Sequence, residues 1–460
     1  MTARSKRGLS GLALLAALAL AAATPRLAFA QIGARPSAGD LSIERIAENT
    51  DLRISLWDSL ISAPKDRAMA FRAGERDNPW ARWRVSVEKS ANSFYILFSP
   101  SKGSSYPAYA QGSWIIKRSQ RDGALEQIKI FLRSDPDTFA RIYPFGARAR
   151  MDIVAYGGVL YREVILPLSL EDILRSPFSR LRELSAKVVD WSLFSPDPAL
   201  YAEQRQLAGH IRARLPGLRY SDDGAIDADG RAVYISSLLP QAAEAGLNCS
   251  GFVKWIVDGM LEPLTGRYLR VEALRERMLD WRGSSFTIKF EESLDPFFGL
   301  DWSRALAREL WSVMYPARKQ NSPLAYDVSD APFSLITNDS NPINGGSSYI
   351  AYPDNFEDAG FDIRGLKAML FVLAAREPGR FYLAQFNART INPPRLRSYF
   401  HIAALFPYFD DEGAFKVAVF ESAAETSLDR ILRAQNYEFV KLVRMPVSPR
   451  FNPPALSTAP

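Results

Sequence analysis

The spacing of apolar residues changes period along the chain, and each change marks a predicted stretch of structure. From Trp83 apolar positions fall two apart in short runs: Arg82–Glu88, with Trp83, Val85 and Val87 on one side, then Ser93–Phe98, Gly112–Lys117, Leu125–Leu132, Ala149–Tyr156 and Val159–Leu166. Turn residues separate them, and Gly157-Gly158 between two alternating runs is a two-residue hairpin signal. Short strands at this spacing predict a β-sandwich accessory domain over residues 31–167. Within it, Leu41–Leu60 fits a short helix or two edge strands, and Arg72–Pro79 reads as a polar loop. After Pro167 the period becomes three to four, in Leu170–Leu174, Phe178–Val189 and Ala199–Leu215, punctuated by Pro177, Pro196 and Pro198; residues 168–220 therefore read as a helical connector.

A third stretch, residues 221–446, mixes both periods. A loop enters an apolar helix at Cys249, with Phe252, Val253, Ile256, Val257 and Met260 at helical spacing. Val271–Trp281 and Trp302–Met314 are amphipathic, residues 320–360 are rich in loop formers, and Gly365–Arg376 is again helical. Strand patterns return at Arg380–Phe386, Tyr399–Phe406, Phe415–Phe420 and Glu438–Val443, the second and third joined through Asp410-Asp411-Glu412-Gly413. The class is α+β, with a Pro-rich tail over 447–460.

Composition changes this picture at the N-terminus. Arg4, Lys6 and Arg7 precede the apolar stretch Gly8–Ala23, and Ala28-Phe29-Ala30 is a small-x-small cleavage pattern, so residues 1–30 read as a secretory signal. They contain four basic residues and no acid, so their removal lowers the formal net charge from +6 to +2. That leaves no case for nucleic-acid binding. No later segment has the roughly 20 apolar residues of a membrane helix. The expected location is outside the cytoplasm, periplasmic or extracellular.

The chain has one cysteine, so no internal disulfide can form. Cys249 is flanked by the small polar residues Asn248 and Ser250 and opens a helix, where unpaired N–H groups favour a thiolate. A cysteine nucleophile needs a base, and the chain has two histidines. His210 lies in a helical pattern upstream; His401 opens a strong strand downstream.

Asn248-Cys249-Ser250-Gly251-Phe252-Val253 resembles the Asp-Cys-Ser-Gly-(apolar)-(apolar) signature of the NlpC-type cell-wall peptidases, a papain-like family. The resemblance covers residues 231–260 and 380–445. It implies a nucleophile helix packed on a small antiparallel sheet, with His401 as base at the start of a strand. It also implies a third polar residue on the next strand, here Glu421 with Ser422 and Asn387 as reserves. Tyr234 falls near the family's tyrosine, and Tyr234, Asn248 and Ser250 are the expected substrate-binding residues. Three departures stand out: Asn248 replaces the usual Asp, the Trp-Gly-Gly that often precedes the motif is absent, and 152 residues separate cysteine from histidine, so about 261–378 reads as an inserted helical and loop-rich subdomain. Pairing His401 with Glu421 across the strands centres the connecting turn on Asp411, and side-chain alternation then puts both residues on one face.

The activity implied is that of a cysteine amidohydrolase cleaving peptidoglycan stem peptides, or another envelope amide, without cofactor or metal. Two alternatives stand beside it: a non-catalytic envelope-binding scaffold with a degenerate papain-like domain, and an acyltransferase or other amide hydrolase on the same fold. Two further motifs carry simpler readings. Ser221–Gly230 lacks the ligand order and closing glutamate of a calcium loop and reads as an Asp-Gly hairpin into Arg231–Ile235. Asn338–Ser348 lacks the Gly-Lys-Ser/Thr of a phosphate loop and reads as a surface loop or lid.

Overall fold

The computed structural model describes residues 42–77, 81–242, 245–278, 297–318, 322–329, 336–339, 348–351, 359–389 and 397–456, with residues 40, 295 and 320 as single positions. The signal-like residues 1–30 and most of the loop at 338–348 lie outside the described residues.

Two short helices, α1 (Thr50–Ser55) and α2 (Lys65–Met69), lead into eight strands: β1 (Gly74–Asp77), β2 (Arg82–Lys89), β3 (Ser93–Pro100), β4 (Trp114–Ser119), β5 (Leu125–Phe131), β6 (Phe139–Phe145), β7 (Arg148–Ala155) and β8 (Gly158–Leu166). Each pairs antiparallel with the next in chain order. The two facing sheets expected of a sandwich are therefore replaced by one meander, in which each strand returns beside the one before it. Strand β6 has no clear alternation in sequence. Its Arg141 looks like an outward position but is buried, paired at 3.3 Å with Asp152 on β7. The β7–β8 turn sits one residue earlier than expected, on Tyr156 and Gly157, both at positive φ. The Tyr156 ring packs against Phe371 and Phe415, which helps hold a non-glycine residue in that conformation.

Helices follow where the period predicts them: α3 (Leu170–Leu174), α4 (Phe178–Ser185) and α5 (Ala202–Arg214). Next come the small hairpin β9 (Gly224–Ile226) and β10 (Ala232–Tyr234), then α6 (Cys249–Thr265), α7 (Val271–Leu274) and α8 (Phe298–Met314). The acids of the hairpin turn are engaged: Asp227 and Asp229 bind Arg231 at 3.0 and 2.6 Å.

The second sheet has the order β13-β18-β14-β15-β16-β17, from β13 (Phe361–Asp362), β14 (Arg380–Arg389), β15 (Arg397–Phe409), β16 (Phe415–Glu421), β17 (Ala424–Thr426) and β18 (Phe439–Pro446). α10 (Leu428–Arg433) precedes β18. One face, through Phe381, Leu383, Ile402, Ala404 and Phe406, shares a core with α6 and α8. The other, through Tyr382, Ala384, Leu405 and Val419, shares a core with the first sheet and with α9 (Leu366–Arg376). Helix α9 is apolar nearly all round, as a helix between two layers must be.

The described parts of residues 261–378 accordingly do not form a separate inserted subdomain. α8 belongs to the helical layer beside α6, and α9 fills the core between the sheets. β11 (Ile336–Asp339) and β12 (Ser348–Ala351) extend the first sheet beyond β8.

Candidate active site

Helix α6 begins where it does because Asn248 caps it. Asn248 has extended backbone, and its Oδ1 accepts the Gly251 N–H at 2.8 Å. Its Nδ2 donates to the Asp222 carbonyl at 3.2 Å, tying the helix start to the turn before β9. Both ends of the side chain are thus occupied and the residue is buried, so Asn248 positions the helix rather than meeting substrate. Glycines make the crossing possible. A Cβ on Gly251 would run into the Gly224 carbonyl, and one on Gly224 into the Gly246 carbonyl. Cys249, half-buried, is therefore held as the first residue of a 17-residue helix whose N-terminus carries partial positive charge.

His401 lies on β15 opposite Phe386 of β14, beyond the point where β15 stops pairing with β16 at Ala404–Phe420. Its Nε2 lies 2.6 Å from Glu421 Oε2, with both side chains mostly buried. A carboxylate only accepts, so Nε2 carries the proton. The other ring nitrogen is left without a claim from Glu421, and Cys249 is close enough for its sulfur to act on the imidazole. Burial alone would push the imidazole pKa down; the hydrogen bonds to Cys249 and Glu421, with their negative charges, outweigh it and raise the value to about 9.

The register that brings His401 and Glu421 together differs from the expected one. His401 was expected opposite Glu421, but β15 and β16 pair as Leu405–Val419 and Ala404–Phe420, a slip of two residues. Glu421 then stands opposite Ala403 and reaches His401 across the diagonal. A slip of two preserves the face, which is why the pair still meets. The cause is the turn. Gly413 takes positive φ, its N–H donates to the Asp410 carbonyl at 2.8 Å, and Asp410 N–H donates to the Ala414 carbonyl at 3.0 Å, so the loop is longer than a two-residue turn.

Cys249 opens onto a cleft of about 700 Å³. Asp222, Asp223, Ser236 and Ser237 line it from around the β9–β10 hairpin; Phe298 lines it from the start of α8, and Tyr399 and Phe400 from β15. Asp223 fastens the first group by accepting the Ser236 hydroxyl and N–H. Ser250 also touches the cleft, though it is only 2% exposed. Tyr234, expected to bind substrate, ends β10 and is not part of that lining. His210 is exposed on α5 and joins no site. Among the described residues no group of three or more His, Cys, Asp or Glu side chains is arranged to hold a metal, and no helix is long and apolar enough to cross a membrane. Sequence reading missed Asp222, Asp223, Ser236 and Ser237. The Ser-Asp-Asp run was the only signal, and it reads equally as a turn.

One family model matches, a domain of unknown function (DUF8515), over residues 42–193. Those residues run from the start of the first sheet's helices to the end of the connector's first half. The two limits meet in space, since the Ser195 hydroxyl accepts the Ile43 N–H at 3.1 Å and donates to Glu44 at 2.7 Å. The matched stretch ends before Cys249. No curated protein and no solved structure matches the chain.

Proposed function

We propose that the protein is an exported cysteine amidohydrolase with an NlpC-type, papain-like catalytic unit, cleaving stem peptides of peptidoglycan. The observation that carries the reading is the convergence of Cys249, His401 and Glu421 from a helix start and two adjacent strands. In this reading imidazolium and thiolate form the resting pair. The Cys249 sulfur attacks the amide carbonyl carbon, and the developing oxyanion is met by the Cys249 N–H and the positive end of α6. His401 gives its proton to the leaving amine as the C–N bond breaks, leaving a thioester. His401 then takes a proton from water, whose oxygen attacks the thioester; the acid leaves, the C–S bond breaks, and the thiolate beside the imidazolium is restored. Glu421 holds the imidazole in the tautomer and plane that both steps need.

Export is supported by the basic, apolar and small-x-small order of residues 4–30. The test is release of soluble peptides from purified sacculi by the mature protein. Loss of release in Cys249→Ala is expected; normal release by that variant overturns the proposal.

A further inference from the structure

An aromatic side chain outside the sheet stands against the proposed base. Tyr437, in the turn between α10 and β18, lies nearly parallel to His401, with 6° between the ring planes and centroids 5.8 Å apart. It also stacks on Phe386 at 4.8 Å, and Phe386 in turn lies at 25° and 6.0 Å from His401. Phe400 leans on Tyr437 at 5.7 Å. The phenol is close enough to the triad to feel it: burial, then the charges of Glu421 and Cys249, raise its pKa to about 12.

We propose that Tyr437 is a positioning residue for His401, fixing the plane of the imidazole and keeping water from its bond to Glu421. The role rests on the reading of His401 as base. An imidazole torsion is broad and soft, so one hydrogen bond at Nε2 does not by itself set the plane of the ring. Proton transfer between Cys249 and the ring requires that plane. Phe386 supplies a flat neighbour from within the sheet, and Tyr437 supplies the other from a turn. Phe386 and Tyr437 stack on each other at 4.8 Å, so together they make one aromatic wall beside the imidazole that limits its rotation. The contact is made by the ring, so phenylalanine preserves it.

The chain has two histidines, and His210 is exposed, so an imidazole NMR spectrum is simple to assign. The wild-type protein should show one slowly exchanging imidazole N–H, that of His401 Nε2. In Tyr437→Ala it should exchange about tenfold faster or vanish, while Tyr437→Phe restores it. Should the alanine variant lose its fold by circular dichroism, Tyr437→Leu, which fills the space without a plane, takes its place with the same expectation. A protected N–H in a folded Tyr437→Ala or Tyr437→Leu variant overturns the role. The readout is independent of turnover, so an inactive wild-type protein with a Tyr437-dependent N–H would count against the hydrolase reading and not against this one.

Discussion

The charge on His401 stabilises the fold only over a limited pH range. Its folded pKa of about 9 lies above the ordinary 6.5 of an unfolded histidine. The protonated ring therefore favours the folded state fully below 6.5, and the contribution disappears as pH rises through 9. The full shift corresponds to roughly 3 kcal/mol. The urea midpoint of the wild-type protein should fall between pH 6.5 and 9, and His401→Gln, already lacking the contribution, should show a flatter profile. Equal pH dependence in the two proteins would mean that the imidazole does not hold its proton against Glu421 and Cys249. At this scale the site was largely legible in the sequence, because one cysteine and two histidines leave few choices and Glu421 ends an apolar strand. Asn248 was legible as a polar neighbour of the cysteine. Its use as a cap shows in the sequence only once the helix start is known.

At the scale of elements, α6 and the β15–β16 hairpin set the geometry. The start of α6 is pressed against β9 so closely that Gly251→Ala must shift backbone rather than a side-chain tip. We expect a loss of roughly 1–3 kcal/mol in urea unfolding, as for overpacking elsewhere, with Cys249 displaced and alkylated more slowly. Unchanged stability and reactivity would show the crossing to be looser than it looks. The hairpin illustrates what alternation can and cannot specify. It fixes the face of His401 and Glu421, because an even slip changes nothing about which side a residue takes. It does not fix the register, which Gly413 sets through its left-handed conformation. Strand β6 escaped sequence reading for a related reason, since its buried Arg141 is paired with Asp152 on another strand.

At the scale of the whole molecule, the first sheet, α9 and one face of the second sheet share a single core. The expectation of an accessory sandwich joined by a connector came from runs of similar period, and period says nothing about which run packs on which. Residues 221–456 expressed alone would expose Ala384, Leu405 and Val419 of the second sheet and much of α9. That fragment should be insoluble or molten, and the chain from residue 31 on should unfold in one calorimetric transition. Two well-separated transitions, with a soluble native-like fragment, would mean that the shared core contributes little to either half.

The central claim, that Cys249 is an activated nucleophile and not a packing thiol, is tested most directly by its alkylation rate with iodoacetamide as a function of pH. With His401 charged up to about pH 9 beside the sulfur, the wild-type rate should already be high at mildly acidic pH and should collapse there in His401→Ala. A wild-type thiol that reacts only as the pH passes roughly 8.5, like free cysteine, would contradict the account and favour a non-catalytic scaffold.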